Sequence, residues 1–367
     1  MTELQGLLAL QGEPPEVTNS EAEEIALRLY GIDSRAEPLA GERDRNFRLM
    51  TDQGPRVLKF LDGAASDTIV AGQGAVLRHL AAHCALPLPR LLPTLAGQDP
   101  GVACTASGRW RVRLLTYLPG ELLLQVHADR TLLRDVGRQI GMLDQALQDF
   151  THPALAQQIA WDIRHLPRLS AVLPRIADPQ ARRLLTAALP PALAILPMLA
   201  GFRSQAIHGD CHPGNLLVST SSARCTGIID LGDLIHAPVI LEIAVTLAET
   251  MADGIVSDDD LAALLSGFIQ CQALSSLEDQ ALFDLLLARL CVLELIRGWR
   301  EQSEERGAAM HGDAHGAATH EDGHGAATHG DATCRAPPVA SLQALDRLLI
   351  QGRSAWRRRF AEVLNHA

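Results

Sequence analysis

The stretch "AIHGDCHPGNLLV" (206–218) decides the fold. It places His208, Asp210 and His212 at alternate positions, followed by a Pro-Gly turn and Asn215. Two interpretations are open at this point. The two histidines and the aspartate could ligate a metal, as in a metallohydrolase. Alternatively, the stretch is a catalytic loop in which only Asp210 and Asn215 do chemistry.

A second acidic motif, "GIIDLGD" (227–233), follows a short distance downstream. Two short β runs separated by a turn join the motifs, so a hairpin would bring Asn215 and Asp230 to the same end. Amide and carboxylate oxygens suit Mg²⁺, which prefers hard ligands and usually binds together with substrate phosphates. Asp210, on the loop leading into the hairpin, could accept a proton from an attacking hydroxyl. A magnesium site next to a proton-accepting carboxylate favours phosphoryl transfer as the reaction.

The spacing of these residues is typical of a kinase catalytic loop. In the pattern H-R-D-x-x-x-x-N the Asp and Asn lie five residues apart, as Asp210 and Asn215 do here, and a metal-binding Asp follows. The same pattern has a lysine on its third strand, and Lys59 in "RVLK" (56–59) matches it. A catalytic loop in a cleft between two lobes is therefore favoured over the metal site.

The pattern of elements divides the chain near residue 118. It predicts a small β-rich lobe (1–118) and a larger helical lobe (119–367). The kinase-like spacing implies that the small lobe, with Lys59, binds nucleotide and that the large lobe, with the acidic motifs, is catalytic. The expected fold class is α+β, two-lobed and protein-kinase-like. The predicted elements are helices at 20–31, 68–83, 131–147, 179–193 and 341–364, a hairpin of strands 47–51 and 56–61, and a strand at 110–118.

A histidine-rich segment, 308–336, stands apart from this pattern. It contains two copies of HGAATH, and five of the 14 histidines of the chain lie within 311–329. Its Gly, Ala and His content cannot build a core, which predicts a disordered insert. Chelation of a divalent metal is the alternative function of this segment.

Composition argues against several classes of partner. The 43 acidic and 32 basic residues give a net charge of −11, so no basic surplus exists to neutralise nucleic acid. The seven cysteines include no CxxC pair, which fits a reducing cytoplasm. The N-terminus lacks a basic signal-peptide region, and the most apolar window, 187–202, contains three prolines and is short for a bilayer span. We expect a cytoplasmic protein without membrane contact.

The segment "HGDCHPGNLL" (208–217), followed by "GIIDLGD", resembles the aminoglycoside phosphotransferase family, which also holds choline, homoserine and hydroxylysine kinases. The segments "GERDRNFRL" (41–49) and "IIDLGDLIHAPVILEIAV" (228–245) look most like the hydroxylysine kinase branch. The resemblance covers about residues 20–300. It implies transfer of the γ-phosphoryl of ATP or GTP, with Mg²⁺, to a hydroxyl of a small amine or amino acid. Hydroxylysine is the acceptor that it suggests, and homoserine, choline and aminoglycosides remain open.

The resemblance also implies roles for the acidic residues. Asp210 is the expected catalytic base, and Asn215 and Asp230 are the expected Mg²⁺ ligands. His208 is expected to hydrogen-bond the backbone near Asp230. A cationic acceptor must meet carboxylates, and the candidates are Asp233, Asp162 and Glu242.

The small lobe is expected to hold the nucleotide. Lys59 would contact its phosphates, but no Glu occurs between residues 43 and 120 to pair with this lysine. Gln73 or Asp67 is the expected replacement partner. The "LLTYLPG" segment would be the interlobe hinge, and Arg43 would cover the phosphates together with neighbouring side chains. The expected nucleotide-binding residues are Lys59, Arg45, Asn46, Gln73 and Leu118.

Overall fold

A computed structural model describes residues 14–254, 256–312 and 338–364. The small lobe is an antiparallel sheet flanked by two helices, with strand order β1-β2-β3-β6-β4 and β5 paired to β6. Its elements are α1 (Asn19–Tyr30), β1 (Arg35–Leu39), β2 (Arg45–Met50), β3 (Arg56–Phe60), α2 (Asp67–His83), β4 (Leu91–Leu92), β5 (Gly101–Thr105) and β6 (Gly108–Thr116).

The ends of α1 show how local sequence sets an element. Thr18 and Glu21 form a capping box that satisfies backbone N–H groups at the start of the helix. Gly31, at φ +68, ends it in the left-handed conformation that glycine adopts without steric cost. The helix begins at Asn19 rather than at the predicted residue 20, because Thr18 is the capping residue.

The large lobe is mostly helical and carries two small sheets. Its strands are β7 (Glu121–Leu122), β8 (Ser204–Ile207), β9 (Leu216–Ser219), β10 (Arg224–Ile228) and β11 (Ile235–Pro238). Its α-helices are α3 (Arg130–Leu147), α4 (Leu166–Leu169), α5 (Pro179–Ala194), α6 (Ile240–Asp253), α7 (Asp258–Ile269), α8 (Ser276–Gly312) and α9 (Pro338–Leu364), the last kinked at Gly352. Short 3₁₀ turns occupy Leu123–Gln125, Pro153–Ala156, Ile163–His165, Ser170–Arg175, Leu196–Gly201, Pro213–Asn215 and Leu231–Asp233.

Helices α3 and α7 approach each other unusually closely. A Cβ on Gly137 of α3 would lie 1.9 Å from the carbonyl oxygen of Leu264, and one on Gly267 of α7 would lie 1.9 Å from that of Arg134. Only glycine fits at both positions, so backbone meets backbone here. This contact fixes the position of α3, which packs against β8 and β10, the strands that precede the two motif loops.

Two strand pairs position the two motifs. Strands β9 and β10 pair antiparallel, with Leu216 opposite Ile228, and the N–H of Ile229 donates to the carbonyl oxygen of Asn215 at 3.0 Å. Strands β8 and β11 also pair antiparallel, with Ile207 opposite Ile235. The loop that follows β8 and the loop that follows β10 therefore lie side by side.

The most apolar segment and the histidine-rich segment both lie outside the two motifs in the sequence. By length and composition, the helical stretch Pro179–Gly201 could cross a membrane. That is weak evidence, because its buried face packs against α8, as a core helix does. The histidine-rich insert predicted at 308–336 lies largely outside the described residues, so its disorder and metal binding stay predictions.

Candidate active site

The loop between β8 and β9 is held in a fixed shape by its own side chains. Nε2 of His208 lies 2.9 Å from the carbonyl oxygen of Ile229, and its Nδ1 accepts the N–H of Asp210 at 3.3 Å. The amide nitrogen of Asn215 donates to the carbonyl oxygen of Asp210 at 2.9 Å. The predicted structural role of His208 is confirmed. The backbone of Asn215 meets that of Ile229, which places Asn215 beside the loop that carries Asp230.

Asp230 is held in a strained conformation at the mouth of this loop. Its φ of 60° and ψ of 58° are left-handed, which non-glycine residues adopt rarely and often at functional sites. Its side chain is 48% exposed, and Oδ1 lies 3.4 Å from Nζ of Lys59. The positive charge of Lys59 is the main cause that lowers the pKa of Asp230. An ionised, solvent-facing carboxylate suits a cation.

Lys59 projects from β3 into the cleft and has two carboxylate partners. Its Nζ lies 3.0 Å from Oδ2 of Asp44 and 3.4 Å from Oδ1 of Asp230. Burial lowers the pKa of Lys59, but the two carboxylates outweigh it and raise the pKa above its ordinary value. Oδ1 of Asp44 also accepts the N–H of Asp62 at 2.7 Å, which fixes its position.

The expected partners of Lys59 are engaged elsewhere. Gln73 accepts a hydrogen bond from Arg113 at 3.3 Å, and Asp67 pairs with Arg111 at 2.9 Å. The prediction that one of them holds Lys59 is therefore wrong. Asp44 takes that place, from the loop between β1 and β2 rather than from the helix.

Three further residues predicted to bind nucleotide lie on the small lobe or the hinge. The guanidinium of Arg45 stacks 5.0 Å from the ring centroid of Phe47, and the Asn46 side-chain amide donates to the carbonyl oxygen of Ala40 at 3.2 Å. Leu118 packs against β10 at Gly227, where a Cβ would meet it at 2.9 Å. The two polar side chains thus stabilise the small-lobe hairpin itself.

The same small-lobe loop reaches across the cleft to the large lobe. Nη2 of Arg43 lies 2.5 Å from Oδ1 of Asp233, and its guanidinium lies 5.3 Å from the ring centroid of Trp161. The pKa of Asp233 is raised to about 6, mainly by burial and also by the charges of Asp230 and Asp210, against the opposing effect of Arg43. Asp233 therefore belongs to one acidic cluster with Asp210 and Asp230.

A buried arginine on α8 anchors Asp210. Arg289 is fully buried, and its Nη2 lies 2.6 Å from Oδ1 of Asp210. Its Nε donates to Glu249 at 2.7 Å and its Nη1 to the carbonyl oxygen of Trp161 at 2.5 Å. The two carboxylates raise the pKa of Arg289 despite its burial, so the guanidinium stays charged. Asp210 is oriented by a group 79 residues away.

Glu242 supports the loop from below. Its side chain is fully buried, and Oε2 accepts the N–H of Gly209 at 3.1 Å. The pKa of Glu242 is raised by burial, and that of Asp144 is raised by burial and by the charge of Glu242. Burial excludes Glu242 from substrate contact in this structure, which corrects its prediction as an acceptor-binding residue.

Asp162 has local partners of its own. Its Oδ1 caps the 3₁₀ turn by accepting the N–H of Arg164 at 2.9 Å, and its Oδ2 pairs with the Arg164 guanidinium at 2.6 Å. Together with His236 and Gln157, these residues line a cavity of about 550 Å³. Asp162 is thus neutralised by Arg164, and of the three predicted acceptor carboxylates only Asp233 joins the acidic cluster.

The histidines of the loop do not form a metal site. Both ring nitrogens of His208 contact backbone groups, and Nδ1 of His212 accepts the N–H of Gly214 at 3.1 Å. Within residues 14–254, 256–312 and 338–364, no three His, Cys, Asp or Glu side chains are grouped as metal ligands. The His-Asp-His interpretation is therefore unsupported, whereas an Asn and an Asp completed by phosphate oxygens fit a hard cation.

Comparison with known proteins agrees with this geometry. The family model described as "Phosphotransferase enzyme family" (APH) matches residues 35–277, which include Lys59, Asp210 and Asp233. The chain belongs to this family. Hydroxylysine kinase of Mus musculus is 26% identical over 302 residues, covering 75% of this chain and 80% of that protein. Hydroxylysine kinase of Danio rerio is 27% identical over 296 residues, covering 76% and 82%.

Solved structures of small-molecule kinases share the fold. An amicoumacin kinase in complex with AMP-PNP and Ca²⁺ matches with a TM-score of 0.62 at 17% identity, over 77% of this chain and 87% of that one. A microcompartment-associated aminopropanol kinase matches with a TM-score of 0.63 at 15% identity, over 94% and 98%. The predicted two-lobed α+β kinase-like fold is confirmed. The protein is a small-molecule kinase, a phosphotransferase with an alcohol group as acceptor.

Three residues of the site were not found from the sequence: Asp44, Glu249 and Arg289. Asp44 lies among other charged residues of a loop, and Glu249 lies within a helix outside the two motifs, so spacing does not single out either of them. Arg289 carried a usable signal, because it stands within the apolar run "LLLARLCVL" (285–293) and a charge buried there needs a partner.

Proposed function

We propose that this kinase transfers the γ-phosphoryl of ATP or GTP, with Mg²⁺, to the hydroxyl of a small cationic amine or amino acid, with 5-hydroxylysine as the first candidate. The single observation that carries the proposal is the convergence of Asp210, Asn215 and Asp230 at one end of the β9–β10 hairpin, with Lys59 facing them from the small lobe. The hydroxylysine kinases among the relatives supply the choice of acceptor.

The large lobe supplies the base and the metal ligands in this proposal. Asp210 accepts the proton of the acceptor hydroxyl, whose oxygen attacks the γ-phosphorus while the nucleoside diphosphate leaves. The Asp210 carboxylate is already oriented by Arg289, so little reorganisation is needed. Asn215 and Asp230 would hold Mg²⁺, which neutralises the charge on the phosphates.

The small lobe holds the nucleotide in this proposal. Lys59 contacts its phosphates, and Asp44 keeps the ammonium aimed into the cleft at 3.0 Å. The hinge would contact the purine base through its backbone groups. Solved structures that share the fold include a complex with AMP-PNP, an adenine nucleotide, and one with GDP, so ATP and GTP are both candidate donors.

The acceptor would meet the acidic cluster of Asp210, Asp230 and Asp233. Each carboxylate is paired with a cation of the chain, so a cationic acceptor would bind here by taking the place of such a partner. Aminoglycosides, choline and homoserine remain alternatives within the same family. We place the protein in the cytoplasm without nucleic-acid or membrane partners, since the six cysteines within the described residues are all free and the net charge is negative.

The test is a nucleotide-consumption assay with separate ATP and GTP reactions. The acceptors are 5-hydroxylysine, homoserine, choline, ethanolamine and an aminoglycoside, each with Mg²⁺ and with Mg²⁺ chelated. We expect Mg²⁺-dependent turnover with one cationic acceptor, lost in Asp210→Asn and Asp230→Asn. Asp162→Asn is the matched control, because Asp162 is committed to Arg164, and it should retain turnover. Nucleotide consumption that does not depend on the acceptor, or that persists in Asp210→Asn, would contradict the proposal.

A further inference from the structure

The Arg43 guanidinium lies in a site made for a cation. Asp233, only 4% exposed, holds it on one side, and the ring of Trp161, only 2% exposed, lies beneath it at 5.3 Å from the ring centroid. A carboxylate beside an aromatic face is a recurring arrangement for binding ammonium and guanidinium groups. The cation here comes from the small lobe, whereas both other groups belong to the large lobe.

The loop that carries Arg43 is attached at its neighbours as well. Glu42 pairs with Arg300 of α8 at 2.6 Å, and Asp44 pairs with Lys59 at 3.0 Å. Arg43 can therefore leave Asp233 without releasing the loop from the cleft. Its side chain is 26% exposed, so a solute can reach the ion pair from the cleft.

The position of this cation site matches the chemistry of the acceptor. The backbone of Asp233 borders the catalytic loop, because a Cβ on Gly209, the neighbour of Asp210, would lie 3.2 Å from the carbonyl oxygen of Asp233. An ammonium bound by Asp233 would thus carry a neighbouring hydroxyl close to the base. In 5-hydroxylysine the hydroxyl and the ε-ammonium stand on adjacent carbons, so one end of this acceptor carries both groups.

We propose that Asp233 and the face of Trp161 form the ammonium subsite for the acceptor, and that Arg43 occupies this subsite as an internal competitor which the acceptor must displace. The inference rests on the proposed function and deepens it, because it names the acceptor class as a primary amine next to the reacting hydroxyl. Since only molecules with Arg43 displaced can bind the ammonium, the apparent affinity is reduced by the fraction that is competent.

The test is equilibrium binding of 5-hydroxylysine to the full-length protein with Mg²⁺ and AMP-PNP. Arg43→Gln removes the competitor, and we expect Kd to fall about five- to tenfold. Arg48→Gln is the matched control, because Arg48 also pairs with a carboxylate, Glu37, and stacks 6.0 Å from the ring centroid of Tyr117. Its Kd should equal that of the wild type. An unchanged or higher Kd in Arg43→Gln would overturn the inference.

Two further arms separate this inference from the proposed function. Nε-acetyl-5-hydroxylysine keeps its α-ammonium but lacks the ε-ammonium beside the hydroxyl, so its binding should not improve in Arg43→Gln, and an equal improvement would overturn the competitor model. Asp233→Asn should weaken binding of 5-hydroxylysine and abolish the gain from Arg43→Gln. If the wild type phosphorylates no amine, the proposed function fails. The inference is then decided by binding of ethanolamine, whose amine and hydroxyl also stand on adjacent carbons, and no gain in Arg43→Gln overturns it.

Discussion

Replacing Arg289 with leucine should both destabilise the large lobe and slow phosphoryl transfer. The guanidinium is fully buried and bridges Asp210, Glu249 and the carbonyl oxygen of Trp161. Leucine fills much of the same volume but satisfies none of these acceptors. Two carboxylates, 7% and 6% exposed, would then lose the guanidinium that both of them contact.

The magnitude follows from this burial. Removing one partner of a buried ion pair typically costs about 3–5 kcal/mol, because the remaining charge stays desolvated. We expect Arg289→Leu to lower the free energy of unfolding by about that amount. Displacement of Asp210 by about 1 Å would also lower kcat by roughly a hundredfold. Arg289→Lys keeps the charge but not the three-way geometry, so it should recover stability more than kcat.

The assay is urea unfolding followed by tryptophan fluorescence, with kcat measured on the same preparations. Arg130→Leu is the matched control, because Arg130 pairs with Asp260 at 2.7 Å but is 65% exposed, and such pairs contribute about 0–1 kcal/mol. Removing Glu249 as well, in Arg289→Leu with Glu249→Leu, should cost less than the two single changes together. An Arg289→Leu protein as stable as Arg130→Leu, with unchanged kcat, would refute the reasoning.

Three further predictions concern the cleft. Asp44→Asn should raise the nucleotide KM by about tenfold in steady-state kinetics, since Lys59 loses the partner that aims it. Gly209→Ala should lower the free energy of unfolding by about 1–2 kcal/mol, because φ is +78 and a Cβ would lie 3.1 Å from Ile235. The pKa of Asp233 is raised to about 6, so the metal-free folded protein binds a proton that the unfolded chain releases near roughly pH 4. The free energy of unfolding therefore falls by up to about 3 kcal/mol as pH rises from roughly 4 to about 6. Asp233→Asn should abolish this pH-dependent decrease in urea unfolding curves.

The part of the site that the sequence predicts is the part whose residues are near neighbours in the chain. Asp210 and Asn215 share one loop, and the register of β9 with β10 brings Asp230 back to them. The hydrogen bond from His208 to the Ile229 carbonyl joins the loop after β8 to the end of β10. Local spacing was enough for these residues because a hairpin is the only structure between them.

The misassigned residues depend on burial, which spacing alone does not reveal. The position of Glu242 after the acidic motif predicts contact with the acceptor. Its side chain instead faces inward from α6 and accepts the N–H of Gly209. Asp162 likewise caps its own turn and pairs with Arg164. Arg289 and Asp44 meet Asp210 and Lys59 only through tertiary packing, so neither partnership could be read from the chain.

The central claim is most directly tested by ³¹P NMR of the wild type with Mg²⁺, ATP or GTP, and 5-hydroxylysine, beside Asp210→Asn. The account predicts a new phosphomonoester resonance that grows as the nucleoside diphosphate appears, and its absence in Asp210→Asn under the same conditions. Formation of inorganic phosphate alone, or an equal phosphomonoester signal in Asp210→Asn, would contradict it.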